Sequence, residues 1–332
     1  MERFRRLLPP FLLLWLLLSL LPWALARSQK EEEGQTTQAA APLAPGFLEA
    51  RETAAELEGV TLYDRATGEL VTLSWEEFLP LALACEMDPA APQEALKAQA
   101  VALRSQYTAS RGQGPQGADG VCSPQDMEGF ASEEALSQRW GEQYQENLAL
   151  LQDACWQVAG QLLTWEGAPA QAVSFPLSAG ATRQGEEPYL SPVPCPGDVL
   201  ADGYRSTLTL TQEEFLTAAG EAAAQGDFSG EESQWLTEIQ RDQSGYVTTA
   251  ELGGCPVTGE AIQAAFGLRS AAFSLSWDGS AFTFSVEGWG AGVGMSQAGA
   301  SFLAQEGADY REILTHYYTG VTVEPYTSAA MG

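Results

Sequence analysis

Two helix-forming patterns, separated by a short stretch that cannot be helical, occupy residues 75 to 108 and constrain this chain more than any other segment. In WEEFLPLALAC, Trp75, Phe78, Leu79 and Leu83 recur at the spacing of one helical face. Pro89 and Pro92 then break the chain. QEALKAQAVALRSQ resumes with strong helix formers, and Ala98, Val101 and Ala102 repeat along one side. Glu86 falls at the joint, at the C-terminal end of the first helix. Unpaired carbonyls and the negative end of the helix dipole disfavour an ionised carboxylate there. Partial burial pushes the same way, towards a raised pKa. A carboxyl group kept protonated near neutral pH suits a general acid, which makes Glu86 the candidate catalytic residue. On spacing alone, a glutamate at a helix end also reads as a solvated side chain.

The remaining pattern mixes short strands and helices. LEGVTLYDRATGELVTLSW predicts a hairpin ahead of the Glu86 helix. Residues 110–127, rich in glycine, proline and aspartate, read as a surface loop, and residues 132–154 read as helical. Two strands are expected around Glu166-Gly167, followed by a long irregular loop from Ser178 to Asp198. Such a loop is a place to look for function. A strand and a helix follow in LTLTQEEFLTAAG, then strands and a helix around Gly253-Gly254, then a hairpin turning at Asp278-Gly279. The last helices come after Gly294. No internal repeat is visible. Strands and helices without regular alternation indicate an α+β fold rather than a doubly wound sheet. The expected organisation is a large domain of two interlocked lobes over residues 56–326, a leader over 1–27, a linker over 28–55 and a tail over 327–332.

The leader carries Arg3, Arg5 and Arg6 ahead of an apolar run from Leu7 to Ala26, the pattern of an export signal. Ala24-Leu25-Ala26 offers a cleavage site, which would give a secreted protein. Without cleavage the run is a single membrane anchor, with the domain on the extracytoplasmic side. The spacer-like EEEGQTTQAAAPLAPG favours the anchor. The net charge of −28, spread along the chain, argues against nucleic acid as a partner. Five cysteines, at 85, 122, 155, 195 and 255, leave at least one without an intrachain partner. For Cys85 and Cys155, in helical patterns, buried free thiols are an equally good reading.

Two further stretches carry candidate binding groups. Glycines at 288, 290, 292 and 294 permit close approach to a ligand or positive φ angles, and they lead into Ser296 and Gln297 at a helix start. Hydroxyl, amide and backbone N–H groups converging there would suit a sugar, although the residues alone also read as a glycine-rich strand and turn. The sequence lacks the Gly-Lys-Ser/Thr ending of a phosphate-binding loop. Ser178 and Thr182, small and polar on the long loop, are candidates for substrate contact, and an ordinary turn is the other reading.

Taken together, EMDPAAPQEALKAQAVALRSQY, TGEAIQAAFGLRSAAFSL, GVGMSQAGA and REILTHYYTG resemble the segments of the stage II sporulation protein D family of peptidoglycan lytic transglycosylases. The resemblance runs from about residue 60 to 325. It implies cleavage of the bond between N-acetylmuramic acid and N-acetylglucosamine in peptide-free glycan strands, giving 1,6-anhydro ends. Glu86 matches the family's catalytic glutamate. Lys97 and Arg104 match polar family positions on the next helix; two helical turns apart, both can lie on one face. They are expected to bind glycan or to shape the field at Glu86, with a solvated helix face as the other reading. A wall amidase or endopeptidase is the implied partner. A glycan-binding amidase activator with little catalysis is the alternative function.

Two departures from the family stand out. Ala291 occupies the place of a histidine in the glycine-rich signature. Some relatives hold zinc through a Cys…His-Cys run, and here CSPQDMEGF keeps Cys122 but has Met127 and Glu128 at the other places. One thiol without histidine is a poor zinc site, so no metal or other cofactor is expected. His316, amid aromatic residues, reads as a packed structural histidine.

Overall fold

The computed structural model of the protein describes residues 59–325. The expected leader, linker and tail lie outside the described residues. Among the described residues no helix is long and apolar enough to cross a membrane.

Strands β1 (Val60–Asp64) and β2 (Leu70–Leu73) form the expected hairpin, in register from Val60 opposite Leu73 to Tyr63 opposite Leu70. Helix α1 (Trp75–Glu86) starts at Ser74. The Ser74 hydroxyl accepts from the Glu77 N–H while the Glu77 carboxylate accepts from the Ser74 N–H, a reciprocal cap. The helix stops at Glu86 because Met87 turns extended and the prolines that follow cannot continue it. Its predicted apolar face is buried in full: Trp75, Phe78, Leu79 and Leu83 are all inside.

Helix α2 (Gln93–Ala109) is buried on nearly every side. Alanines at 95, 98, 100 and 102 carry so little bulk that neighbours close in all round. The stretch after it, expected to be loop alone, contains β3 (Gly120–Cys122), which joins β1 in parallel. Three residues without alternating apolar character carry no strand signal. Helices α3 (Glu133–Trp140) and α4 (Tyr144–Gln157) follow. Strands β4 (Gln161–Trp165) and β5 (Ala168–Pro169) then turn at Glu166-Gly167, both with positive φ. Strand β6 (Ser174–Phe175) leads into the long loop.

A second set of elements comes next: β7 (Arg205–Leu210), α5 (Gln212–Ala222), β8 (Leu236–Arg241), β9 (Val247–Leu252), β10 (Cys255–Thr258), α6 (Gly259–Phe266), β11 (Phe273–Trp277) and β12 (Phe282–Glu287). They form two three-stranded antiparallel sheets, in the orders β10-β9-β8 and β11-β12-β7. The chain then returns to the first set through β13 (Met295–Ser296), α7 (Gln297–Gln305), α8 (Tyr310–Tyr317) and β14 (Thr322–Pro325). β13 lies parallel to β6, and β14 lies antiparallel to β4.

The result is a single domain of mixed helices and strands whose described residues form two large hydrophobic cores and a small cluster around Tyr246. One core draws on residues before 196 and after 292, with α2 at its centre. The other uses residues 215–286 and is dominated by aromatic rings, among them Phe215 stacked on Phe282 with centroids 4.1 Å apart. The second set is therefore an insertion between two halves of the first. Tyr246 ties them together: its fully buried hydroxyl accepts from the Ala179 N–H at 3.0 Å, and the Arg183 guanidinium lies over its ring.

All five cysteines are free thiols. Cys155 is buried in α4, and burial pushes its thiol up to about 12.

Candidate active site

Glu86 ends α1 with its backbone at the edge of the first core. Its side chain meets a residue 211 positions away: the Gln297 amide donates to Glu86 Oε2 at 2.6 Å. Gln297 is the first residue of α7, so the bond joins the last residue of α1 to the start of α7. Glu86 keeps one exposed face while protein crowds it from the other sides. That crowding removes solvent and raises its carboxyl pKa above the ordinary value; the Gln297 bond, which favours the ionised form, pulls it part of the way back. The side chain is thus open to a substrate and biased towards holding its proton. With Oε2 engaged, Oε1 is left to carry that proton.

The surroundings fix the pair. Arg139 donates to the Ala84 carbonyl at 3.2 Å, taking up one of the orphan acceptors at the C-terminal end of α1. The Ser296 hydroxyl accepts from the Gly299 N–H at the start of α7 and donates to Asp198 Oδ2 at 2.7 Å. The same Asp198 oxygen accepts from the Ser178 N–H at 2.7 Å. Asp198 is completely buried, which raises its pKa, while the serine hydrogen bonds oppose the rise. This buried carboxylate joins the long loop to the cap of α7 and so sets where Gln297 emerges.

The glycine-rich tract also serves position rather than ligand contact. All four glycines have positive φ. A Cβ on Gly294 would sit 2.0 Å from the Val173 carbonyl oxygen, and one on Gly292 would strike the Tyr246 ring. The close approach is to the protein's own segments. Ala291, at the place where the resembling family has histidine, is exposed.

Of the residues singled out from the sequence, Glu86 and Gln297 come together. Ser178, Thr182 and Ser296 do not face a ligand: all three are buried with their polar groups used internally. The Thr182 hydroxyl accepts from the Val193 N–H at 2.8 Å, and the Ser178 hydroxyl accepts from the Gly180 N–H at 3.1 Å. Short polar side chains on a loop satisfy their own backbone as readily as a substrate. Lys97 pairs with Glu94 and lies over the Tyr310 ring, held by α8. Arg104 is buried against Trp75 with its guanidinium 4.9 Å from the ring centroid, and burial lowers its pKa to about 10. Neither cation pairs with Glu86. Their common face is covered because α2 is central to the core. His316 is half-buried, with Nε2 3.2 Å from the Pro194 carbonyl oxygen.

Zinc does not fit the Cys122 loop. The Cys122 thiol is buried and pushed up to about 11. Met127 offers only a thioether, to which Arg139 points, and the Glu128 carboxylate is paired with Arg65 at 2.7 Å. Sequence reasoning missed Asp198 and Arg139. Asp198 follows Cys-Pro-Gly and reads as an ordinary turn residue; only its burial marks it out.

Comparison with known proteins agrees with this arrangement of segments. A family model described as Stage II sporulation protein matches residues 63–165. The chain is 32% identical over 274 residues to the stage II sporulation protein D of Bacillus amyloliquefaciens, covering 80% of this chain and 78% of that protein. It is 31% identical over 276 residues to the protein of the same name from Bacillus subtilis (strain 168), with the same coverage of 80% and 78%. A shorter stretch of 58 residues is 41% identical to the amidase enhancer of Bacillus subtilis (strain 168), covering 18% of this chain and 8% of that protein. Glu86 lies within the segment matched by the family model, and the alignments to the two proteins named stage II sporulation protein D span most of the chain. The chain belongs to the stage II sporulation protein D family.

Proposed function

We propose that the protein is a peptidoglycan lytic transglycosylase acting on peptide-free glycan strands. The observation that supports this best is the Glu86–Gln297 contact, which brings the expected acid to the start of the C-terminal signature helix. In the proposed reaction Glu86 Oε1 gives its proton to the oxygen linking muramic acid to N-acetylglucosamine, and the C1–O bond breaks. The 6-hydroxyl oxygen of the same muramyl residue bonds to C1. Its proton passes to the Glu86 carboxylate, which restores the acid. No water is consumed, so a single carboxyl group serves both halves, unlike the two-carboxylate glycosidases. Gln297 steadies the carboxylate that exists between the two transfers.

The setting we propose is wall remodelling during sporulation, at engulfment, with a wall amidase or endopeptidase supplying strands stripped of peptide. The N-terminal apolar run would anchor the domain on the extracytoplasmic side of the cell membrane, or be cleaved to release it. A second reading, a glycan-binding amidase activator with little catalysis, draws on the 41% identity to a protein named amidase enhancer.

The test is incubation of the full chain with amidase-treated glycan strands, followed by mass spectrometry. Anhydro-muramyl ends that disappear with Glu86→Gln, a loss of about 10²–10⁴-fold, support the transglycosylase. Glycan binding without product supports the activator.

A further inference from the structure

Trp289, on the backbone segment that pairs with Leu177 on its way to Gln297, and Arg269 form a pair of exposed side chains. Trp289 is 50% exposed, an unusual state for the largest apolar side chain. The Arg269 guanidinium lies over its ring, 4.9 Å from the centroid. The backbone holds them in place: the Arg269 carbonyl accepts from the Gly290 N–H at 2.8 Å. Both side chains are exposed, so the pair does not belong to either core.

The pair is tied to the acid by a short ladder. Leu177 and Trp289 exchange two backbone hydrogen bonds, of 3.0 and 2.7 Å. The neighbouring Pro176 carbonyl accepts from the Ala298 N–H at 3.1 Å. Ala298 directly follows Gln297, the partner of Glu86. Pro176 and Leu177 are one Cα step, about 3.8 Å, apart. The backbone that presents Trp289 and the backbone that presents Gln297 therefore dock on adjacent residues of one segment.

Charge gives the pair its meaning. Arg183 is paired with Asp242 and Glu260, and Arg205 with Glu287. Among the described residues no carboxylate pairs with Arg269. A chain of net charge −28 has an uncommitted cation stacked on an exposed indole, on backbone that docks one residue away from the segment holding Gln297. A sugar ring presents an apolar C–H face that packs on an indole. A muramyl residue stripped of peptide adds a free lactyl carboxylate. Such a strand is polyanionic and would be repelled by this protein without a local positive contact.

We infer that Trp289 and Arg269 form a glycan subsite in which the indole packs against a sugar ring and the guanidinium pairs with the lactyl carboxylate of a muramyl residue. The inference rests on the proposed lytic activity for its substrate class. The subsite makes the protein selective for peptide-free muramyl strands over neutral chitin oligosaccharides, since only the former carry the carboxylate. Both residues are positioning residues, not members of the proton-transfer machinery.

The test compares peptide-free glycan strands with chitin oligosaccharides of equal length, using the full chain. Trp289→Ala is expected to raise KM on the glycan strands about tenfold, with a smaller change in kcat, and Trp289→Phe to restore most of it. Arg269→Gln, assayed in a Glu86→Gln background, should weaken glycan binding about threefold and leave chitin binding unchanged; Arg269→Lys should recover part of the loss. The preference should shrink as salt is raised. Cleavage by the parent with unaltered KM in Trp289→Ala and Arg269→Gln overturns the subsite and leaves the lytic reading standing. Binding that depends on both residues, without any cleavage by the parent, overturns the lytic reading and leaves the subsite. No binding and no cleavage by a folded parent overturns both.

Discussion

Replacing Gln297 by methionine tests the acid assignment more sharply than removing the acid itself. Methionine keeps the length of glutamine and removes the N–H that donates to Glu86 Oε2 at 2.6 Å. Gln297 is buried, so the variant still fills its place at the start of α7. The lost bond favours the ionised carboxylate over the protonated one. Two consequences follow with fixed signs. The carboxylate formed after proton transfer loses a charge-assisted hydrogen bond, a class worth about 1.5–3 kcal/mol. Glu86 is exposed on one side, so solvent screening places the effect at the low end, and the rate falls about tenfold. Independently, the Glu86 pKa rises further, because the hydrogen bond that lowered it is gone. A general acid must be protonated to act, and activity declines as pH rises through its pKa. The descending limb of the pH–rate profile therefore moves to higher pH in Gln297→Met, while the plateau drops. The assay is the initial rate of anhydro-muramyl product formation across the acidic to neutral range. A limb that moves to lower pH, or a plateau equal to the parent's, refutes the pairing as the basis of the chemistry.

Three other perturbations have definite outcomes. Gly294→Ala forces a side chain into a φ of +85° with its Cβ 2.0 Å from the Val173 carbonyl oxygen; denaturant unfolding should show a loss of at least about 1–3 kcal/mol, with reduced activity because α7 is displaced. Asp198 has a raised pKa when folded, so its contribution to stability is fully present below the ordinary aspartate range and is lost as pH rises through the folded value; Asp198→Asn should flatten that slope in urea unfolding followed against pH. Arg104→Met removes a buried cation that has no ion pair among the described residues, and should leave unfolding free energy unchanged or raised by about 1 kcal/mol, with glycan cleavage within about twofold of the parent.

Local signals carried the first half of the site and failed on the second. The apolar spacing of Trp75, Phe78, Leu79 and Leu83, with prolines at 89 and 92, placed Glu86 at a helix end, and the helix does end there. The hairpins at Asp278-Gly279 and Glu166-Gly167 were equally legible, because their turn chemistry is local. Strand β3 was not, since its only support is pairing with β1, some 58 residues earlier in sequence for the contact between Thr61 and Asp119 that anchors it. The orientation of α2 was misjudged for a related reason. An alanine-rich helix gives no strong apolar stripe, so Arg104 looked free to face a ligand when packing on all sides had covered it. Ser178, Thr182 and Ser296 were the right types for sugar contact, but nothing in their spacing showed that Asp198 and the loop backbone would use them.

The pairing of Glu86 with Gln297 depends on an insertion. Between them in sequence lies a second core of residues 215–286, which the chain enters and leaves before α7 returns to α1. The return is made by residues 288–296, and they have little room: Gly288 lies against Leu177 and Ser178, Gly290 against Phe175, Gly292 against Tyr246 and Gly294 against Val173. Each contact needs the absence of a Cβ, and each glycine has a positive φ that side-chain-bearing residues adopt at a cost. The tract thus works as a seam stitched to residues 173–178 and to Tyr246, and β13 beside β6 is its last stitch. Asp198 then fixes the cap of α7 from behind through Ser296. A substitution in the seam should impair catalysis through the position of Gln297. Gly292→Ala is the cleanest case, since Tyr246 lies at the junction of the two cores rather than at the acid. It should lower kcat more than it raises KM on glycan strands, and a second substitution, Gln297→Met, should then add little. Fully additive losses in the double variant would mean that the seam and the acid act independently, and that the glycines serve the glycan directly.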